Sequence, residues 1–162
     1  LIFYKSIKHT PMKTTISTVS LRLSYDEIAK EIHAASALRS YFSRIDEQLP
    51  PMLLSNHDKA LSPVIADACA LMALRLADNL ADVTLDNEEY AEFVVMPRNI
   101  SAASALRRAL EHAVAAYALH LCFAGVDNTL AADGYRVESD AHIDSVKSSL
   151  LRISGTPRVT GW

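Results

Sequence analysis

Hydrophobic residues recur along this chain with two different periods. In TTISTVSLRL, residues 14–23, Val19, Leu21 and Leu23 alternate with other residues among β-branched neighbours, so a short strand is expected there. From Tyr25 the period lengthens. Ile28, Ile32, Ala35, Leu38, Phe42 and Ile45 fall near helical spacing and define the apolar stripe of a first helix. Ser24 with Glu27 three residues later is a capping box, in which each side chain satisfies the other's orphan backbone N–H. Residues 46–57 contain Pro50 and Pro51 and form a loop, because proline breaks the helical ladder.

Ser62 before Pro63 is an expected N-cap and first-turn pair for a second helix. That helix should run to about Leu80, with Ile65, Ala68, Cys69, Met72, Leu76 and Leu80 on one face. Residues 83–96 turn β-branched and aromatic around an acidic turn. They predict at least one strand over about 90–96, with Val83 to Leu85 available as its hairpin partner. Asn99 or Ser101 is the expected cap of a third helix. Its broad face carries Ala103, Leu106, Leu110, Ala113, Val114, Tyr117 and Leu121, and Gly125 stops it. Arg107 and Glu111, four apart at the border, are expected to pair on the surface. His112 lies nearly opposite the stripe and is expected on the outside. Leu119 and Phe123 lie off the main face, so this helix is either sandwiched within its own domain or buried in a subunit contact. Residues 126–139 read as a polar connection. Ser139 or Asp140 then caps a short last helix that turns Ile143, Val146, Leu150 and Ile153 inward.

The expected fold class is therefore mainly α: a bundle of about four helices with a small β element from short strands near 14–23 and 83–96. Residues 14–155 form one domain, with 1–13 as an N-terminal arm or upstream extension and 156–162 as a C-terminal tail. The arm reads LIFYKSIKHTP before Met12, which suggests either a non-ATG start or a true start at Met12. It lacks the apolar length and cleavage site of a signal peptide. Composition agrees with a helical core. Hydrophobic residues make up 50% of the 162, with only four glycines. A net charge of −3 gives no strong electrostatic case for nucleic acid. No apolar run reaches the roughly 18 residues of a membrane span. Cys69 and Cys122 fall inside helical patterns and read as small buried hydrophobes in a reducing compartment.

Chemistry is hard to find in the sequence. None of the six histidines stands four residues from another, the spacing by which two ligands on a helix share one ion, and no Glu-x-x-His occurs. Four isolated glycines make no phosphate-cradling loop, and no G-x-S-x-G elbow is present. His120 and Cys122 are two apart on a helix, so their side chains diverge. Asp86, Glu88 and Glu89 read as a solvated turn, and Arg98, Arg107 and Arg108 as one small basic cluster. No cofactor, no metal and no enzymatic activity are expected.

The order of elements carries a resemblance. SALRSYFSRID leads from the first helix toward LSPVIADACALMALRLADNL, and ISAASALRRALEHAVAAYALHLCF is followed by IDSVKSSLLRISGTPR, with its leucine pair, basic residues and proline. This layout, over about residues 14–160, resembles the head–tail connector, or adaptor, proteins of tailed bacteriophages and prophages. The resemblance implies a structural protein of the virion neck, assembled in the bacterial cytoplasm. Its copies would form a homo-oligomeric ring, a dodecamer, joining the portal protein to stopper or tail proteins, with DNA only as passing cargo and no membrane. Candidate contact residues are Leu119 and Phe123 on the third helix, Phe3 and Tyr4 in the arm, and Arg158, Val159 and Trp162 in the tail. The rival readings are a tail-completion or other neck protein of the same module, and a small helical regulator or enzyme.

Overall fold

The computed structural model describes residues 18–43, 54, 59–86, 88–97, 103–126 and 129–151. The elements run β1 (Val19–Ser24), α1 (Tyr25–Ser43), α2 (Leu61–Arg75), a 3-10 turn at Ala77–Asn79, β2 (Leu80–Leu85), β3 (Tyr90–Val95), α3 (Ala103–Ala124) and α4 (Thr129–Leu151). Among the described residues the fold is thus mainly α, four helices and one small sheet, as the periodicity predicts. The expected cap residues Asn99 and Ser101, and Ile45, Ile153 and residues 14–17, lie outside the described residues.

The sheet has strand order β1-β3-β2 and is antiparallel throughout. Its period-2 pattern separates two faces. Ala91, Phe93 and Val95 of the central strand are buried, with Leu21 and Leu23 of β1 on the same face. The opposite face is polar. There Arg22 lays its guanidinium 3.9 Å over the Tyr90 ring, and the Ser20 hydroxyl donates to Glu92. The register shifts between Leu80 and Asp82 of β2. That bulge, with the exposed Asp82 beside it, blunts an edge that would otherwise invite another strand.

β1 passes directly into α1. The N–H of Tyr25 donates to the Glu89 carbonyl at 3.0 Å, and its hydroxyl donates to the Asp86 carbonyl at 2.5 Å. Its ring is buried, and that burial, chiefly, raises the hydroxyl's pKa. The start of α1 is thereby pinned to the β2–β3 turn. That turn is held by the Asp86 carboxylate, which accepts from the N–H groups of Glu88 and Glu89 at 2.8 and 2.9 Å. These two bonds lower the Asp86 pKa below its ordinary value. The acidic turn is therefore a structural device.

Helix α3 packs against α1, α2, α4 and β1. Leu106, Leu110, Ala113 and Val114 are buried as the stripe predicts, and so are Ala115, Ala116, Ala118, Leu119 and Phe123 around the rest of its circumference. Gly125 follows its last residue, donating its N–H to the Leu121 carbonyl at 3.1 Å. Cys69 of α2 is also buried, its thiol pushed up to about 12 by burial, which makes it inert.

Four expectations need correction. First, α4 is long. Residues 129–139 belong to it, and Ser139 caps nothing: it is fully buried in mid-helix, with its hydroxyl donating to the Ala113 carbonyl of α3 at 2.8 Å. The inward face of α4's first half is Ala131, Ala132 and Ser139, residues too small or polar to show as an apolar stripe. Second, α2 begins at Leu61 after Ala60, so Ser62 and Pro63 are first-turn residues. Proline fits there because first-turn N–H groups have no helical partner to lose. Third, α2 ends at Arg75, and Leu80 opens β2. Fourth, α1 rolls inward on Ser36 and Ser40 beyond Ile32, leaving Leu38 and Phe42 exposed. The Ser36 hydroxyl donates to the His33 carbonyl at 2.9 Å and accepts from the Leu54 N–H at 3.1 Å, so its burial is compensated.

Two measurements check this arrangement. Ser139→Ala should change stability by less than about 1 kcal/mol, whereas Ser139→Leu should cost about 2 kcal/mol by overpacking the α3–α4 seam; urea unfolding of both variants reads this, and equal small effects would return Ser139 to a helix end. Asp86 has a depressed folded-state pKa, so its contribution to stability is complete above the ordinary carboxylate range and is lost as pH falls through the folded-state value. Asp86→Ala should therefore flatten the stability–pH curve below about pH 4, followed as the urea midpoint.

Candidate functional site

Leu119 and Phe123, expected at a subunit contact, are 2% and 1% exposed. They belong to the chain's own core, and α3 is the sandwiched helix of the two alternatives. The cause is α4, whose extra turns cover the flank that a short last helix would leave bare. The Phe123 ring stacks on Tyr135 of α4 with centroids 5.4 Å apart. Arg39 of α1 lies over both rings, at 5.4 and 5.8 Å, and closes that corner. Phe3, Tyr4, Arg158, Val159 and Trp162 lie outside the described residues.

Other large apolar side chains face outward, among them Leu74 of α2 and Leu151 at the end of α4. On α1, Leu38, Tyr41 and Phe42 are 60%, 67% and 61% exposed, and the rings of the last two meet edge to face at 5.4 Å. On α4, Leu130 and Val137 are 75% and 64% exposed, and Val126 between α3 and α4 is 59% exposed. Arg39, the one charged residue in 34–42, is turned inward over Phe123 and Tyr135, so this end of α1 presents a largely uncharged surface. The sequence signal pointed the other way. At about 100° per residue, Ser36 and Ser40 lie roughly 40° and 80° round from Ile32, and Leu38 and Phe42 roughly 120° and 80° round the other way; hydrophobicity favoured the latter pair.

A second cluster contradicts the reading of His112 as an outer-surface residue. Its Nδ1 bonds the carboxylate of Glu31 on α1, and its ring lies 5.4 Å from that of His142 on α4. His142 in turn has its Nε2 3.9 Å from Glu138. Three helices thus meet at paired imidazoles and carboxylates, each about one-third exposed except Glu138, which is more than half exposed. Helical spacing within α3 could not show this, because the partners come from other elements. Elsewhere, His120 donates through Nδ1 to the Ala132 carbonyl at 2.9 Å, a second tie between α3 and α4. The expected Arg107–Glu111 pair is present at 3.6 Å, with Glu111 nearly buried.

A cleft of about 440 Å³ opens where α2, the 3-10 turn, β3 and α4 meet, lined by Arg75, Asp78, Asn79, Met96, Lys147 and Leu151. Arg75 is held there by Asp140. Among the described residues no three His, Cys, Asp or Glu side chains are grouped to hold a metal ion, and no helix is long and apolar enough to cross a membrane. No protein-family model, curated protein or solved structure matches this chain.

The Glu31–His112 bond should be measurable. Glu31→Ala and His112→Ala are each expected to cost about 0.5 to 1 kcal/mol, with a coupling of a few tenths of a kcal/mol in the double-mutant cycle. Thermal melts of the four proteins test it, and strictly additive effects would place His112 back among unattached surface residues.

Proposed function

We propose that this chain is a structural assembly protein, a head–tail connector of the adaptor type. Its copies form a ring that joins a phage portal to stopper or tail proteins. The observation that carries this reading is the set of outward-facing large apolar side chains on α1 and α4. A monomer leaves single hydrophobic residues in water at little cost, but a cluster of exposed aromatic and aliphatic groups marks an interaction surface. The layout of helices that resembles adaptor proteins supplies the kind of interaction. In such an assembly the function is surface complementarity between copies, and DNA passes through the ring without being read. The tight α3–α4 seam and the pinned start of α1 supply the rigid body that such a ring requires.

The test is assembly itself. Purified full-length protein should form a closed ring of about twelve copies by light scattering and negative-stain microscopy, and should bind isolated portal complexes. A protein that stays monomeric at high concentration and ignores portals would overturn the reading.

A further inference from the structure

We propose that copies join head to tail, the C-terminal end of α1 in one copy packing on the outer face of α4 in the next. The inference rests on the assembly reading above and names the two surfaces that would make its contact. Both helices flank α3, and each turns its exposed apolar residues away from the shared core. The α1 face is aromatic, with Leu38, Tyr41 and Phe42. The α4 face is aliphatic and open. Leu130 and Val137 stand seven residues apart on one side of the helix, with Gly134 between them, where an added Cβ would meet nothing within 4 Å. Rings seated on a low aliphatic surface are the usual anchors of an interface.

Area decides in favour of a second copy of this chain as occupant. At these exposures the five side chains bring roughly 600 Å² of accessible surface to one contact, by the usual sizes of such groups. A stable interface buries about 1,200–2,000 Å² in total, a little over half of it apolar. The two faces together therefore approach the apolar share of a small specific interface, whereas either face against a polar partner falls well short. A two-fold contact between α1 ends would leave the α4 face in water. A head-to-tail contact covers both, and such a contact closes into a ring when its rotation allows. A reciprocal two-fold pairing of α1 with α4 would also cover both faces but stop at two copies, so the ring proposed above calls for the heterologous mode.

The experiment uses two double variants of the full chain. Leu38→Arg with Phe42→Arg breaks the α1 face, and Leu130→Arg with Val137→Arg breaks the α4 face. All four positions are exposed, so melting temperatures should match the unaltered protein. Serine at the same positions provides a second pair if arginine lowers them. Each variant alone should be monomeric. Mixed in equal amounts they should form a one-to-one heterodimer by native mass spectrometry, because each retains the face the other lacks. Variants that still assemble as the unaltered protein does, or monomeric variants that fail to pair on mixing, would overturn the head-to-tail contact and leave the assembly reading standing. An unaltered protein that never associates would remove both.

Discussion

Helix α3 carries alanine, valine, leucine and phenylalanine around most of its circumference, and water is an unfavourable neighbour on every such side. Enclosing it is the constraint on which the rest of the fold depends. One amphipathic partner would cover one stripe. Here α1, α2, α4 and β1 share the task, and burying a side chain the size of Leu119 or Phe123 is worth about 1.5 to 3 kcal/mol. The alanines matter as much as the large residues. Ala113, Ala116 and Ala118 of α3 are buried, as are Ala131 and Ala132 of α4, and small side chains let two helices approach closely enough for Ser139 to reach the Ala113 carbonyl.

The polar groups then follow from the packing. Ser36, Ser139 and Glu111 are buried or nearly so, and each has a partner: a backbone group for the two serines, Arg107 for the glutamate. The Glu31–His112–His142 cluster forms because three helices bring their borders together around the same core. Tyr25 serves the other end, tying the first residue of α1 to the turn that Asp86 holds. Local turn chemistry and the helical layer are in this way one connected structure.

In the assembly we propose, function resides in what the core leaves over. The inward roll of α1 onto Ser36 and Ser40 takes two serines in and turns Leu38, Tyr41 and Phe42 out. A helix that buried its most hydrophobic stripe would have nothing to offer a neighbour. Local stability and outward surface are thus set by one rotation of one helix, and the same holds for α4, whose small inward residues leave Leu130 and Val137 facing solvent.

The sequence by itself determined the mainly α class, the strand before α1, the β2–β3 hairpin with its acidic turn, the main stripe of α3 and its stop at Gly125. Those features rest on local signals: period, turn chemistry and the conformational limits of glycine and proline. Tertiary structure decided the length of α4, the face on which α1 rolls, the burial of Leu119 and Phe123 and the convergence of the histidines. Each of these depends on which surface a distant element covers. Residues 129–139 include Thr129, Asp133, Gly134 and Ser139, all poor helix formers, and packing against α3 offsets their cost. Beyond Ile32 the serines stay nearer its direction along α1 than Leu38 does, and packing against α3, not hydrophobicity along α1, selected the face that is buried.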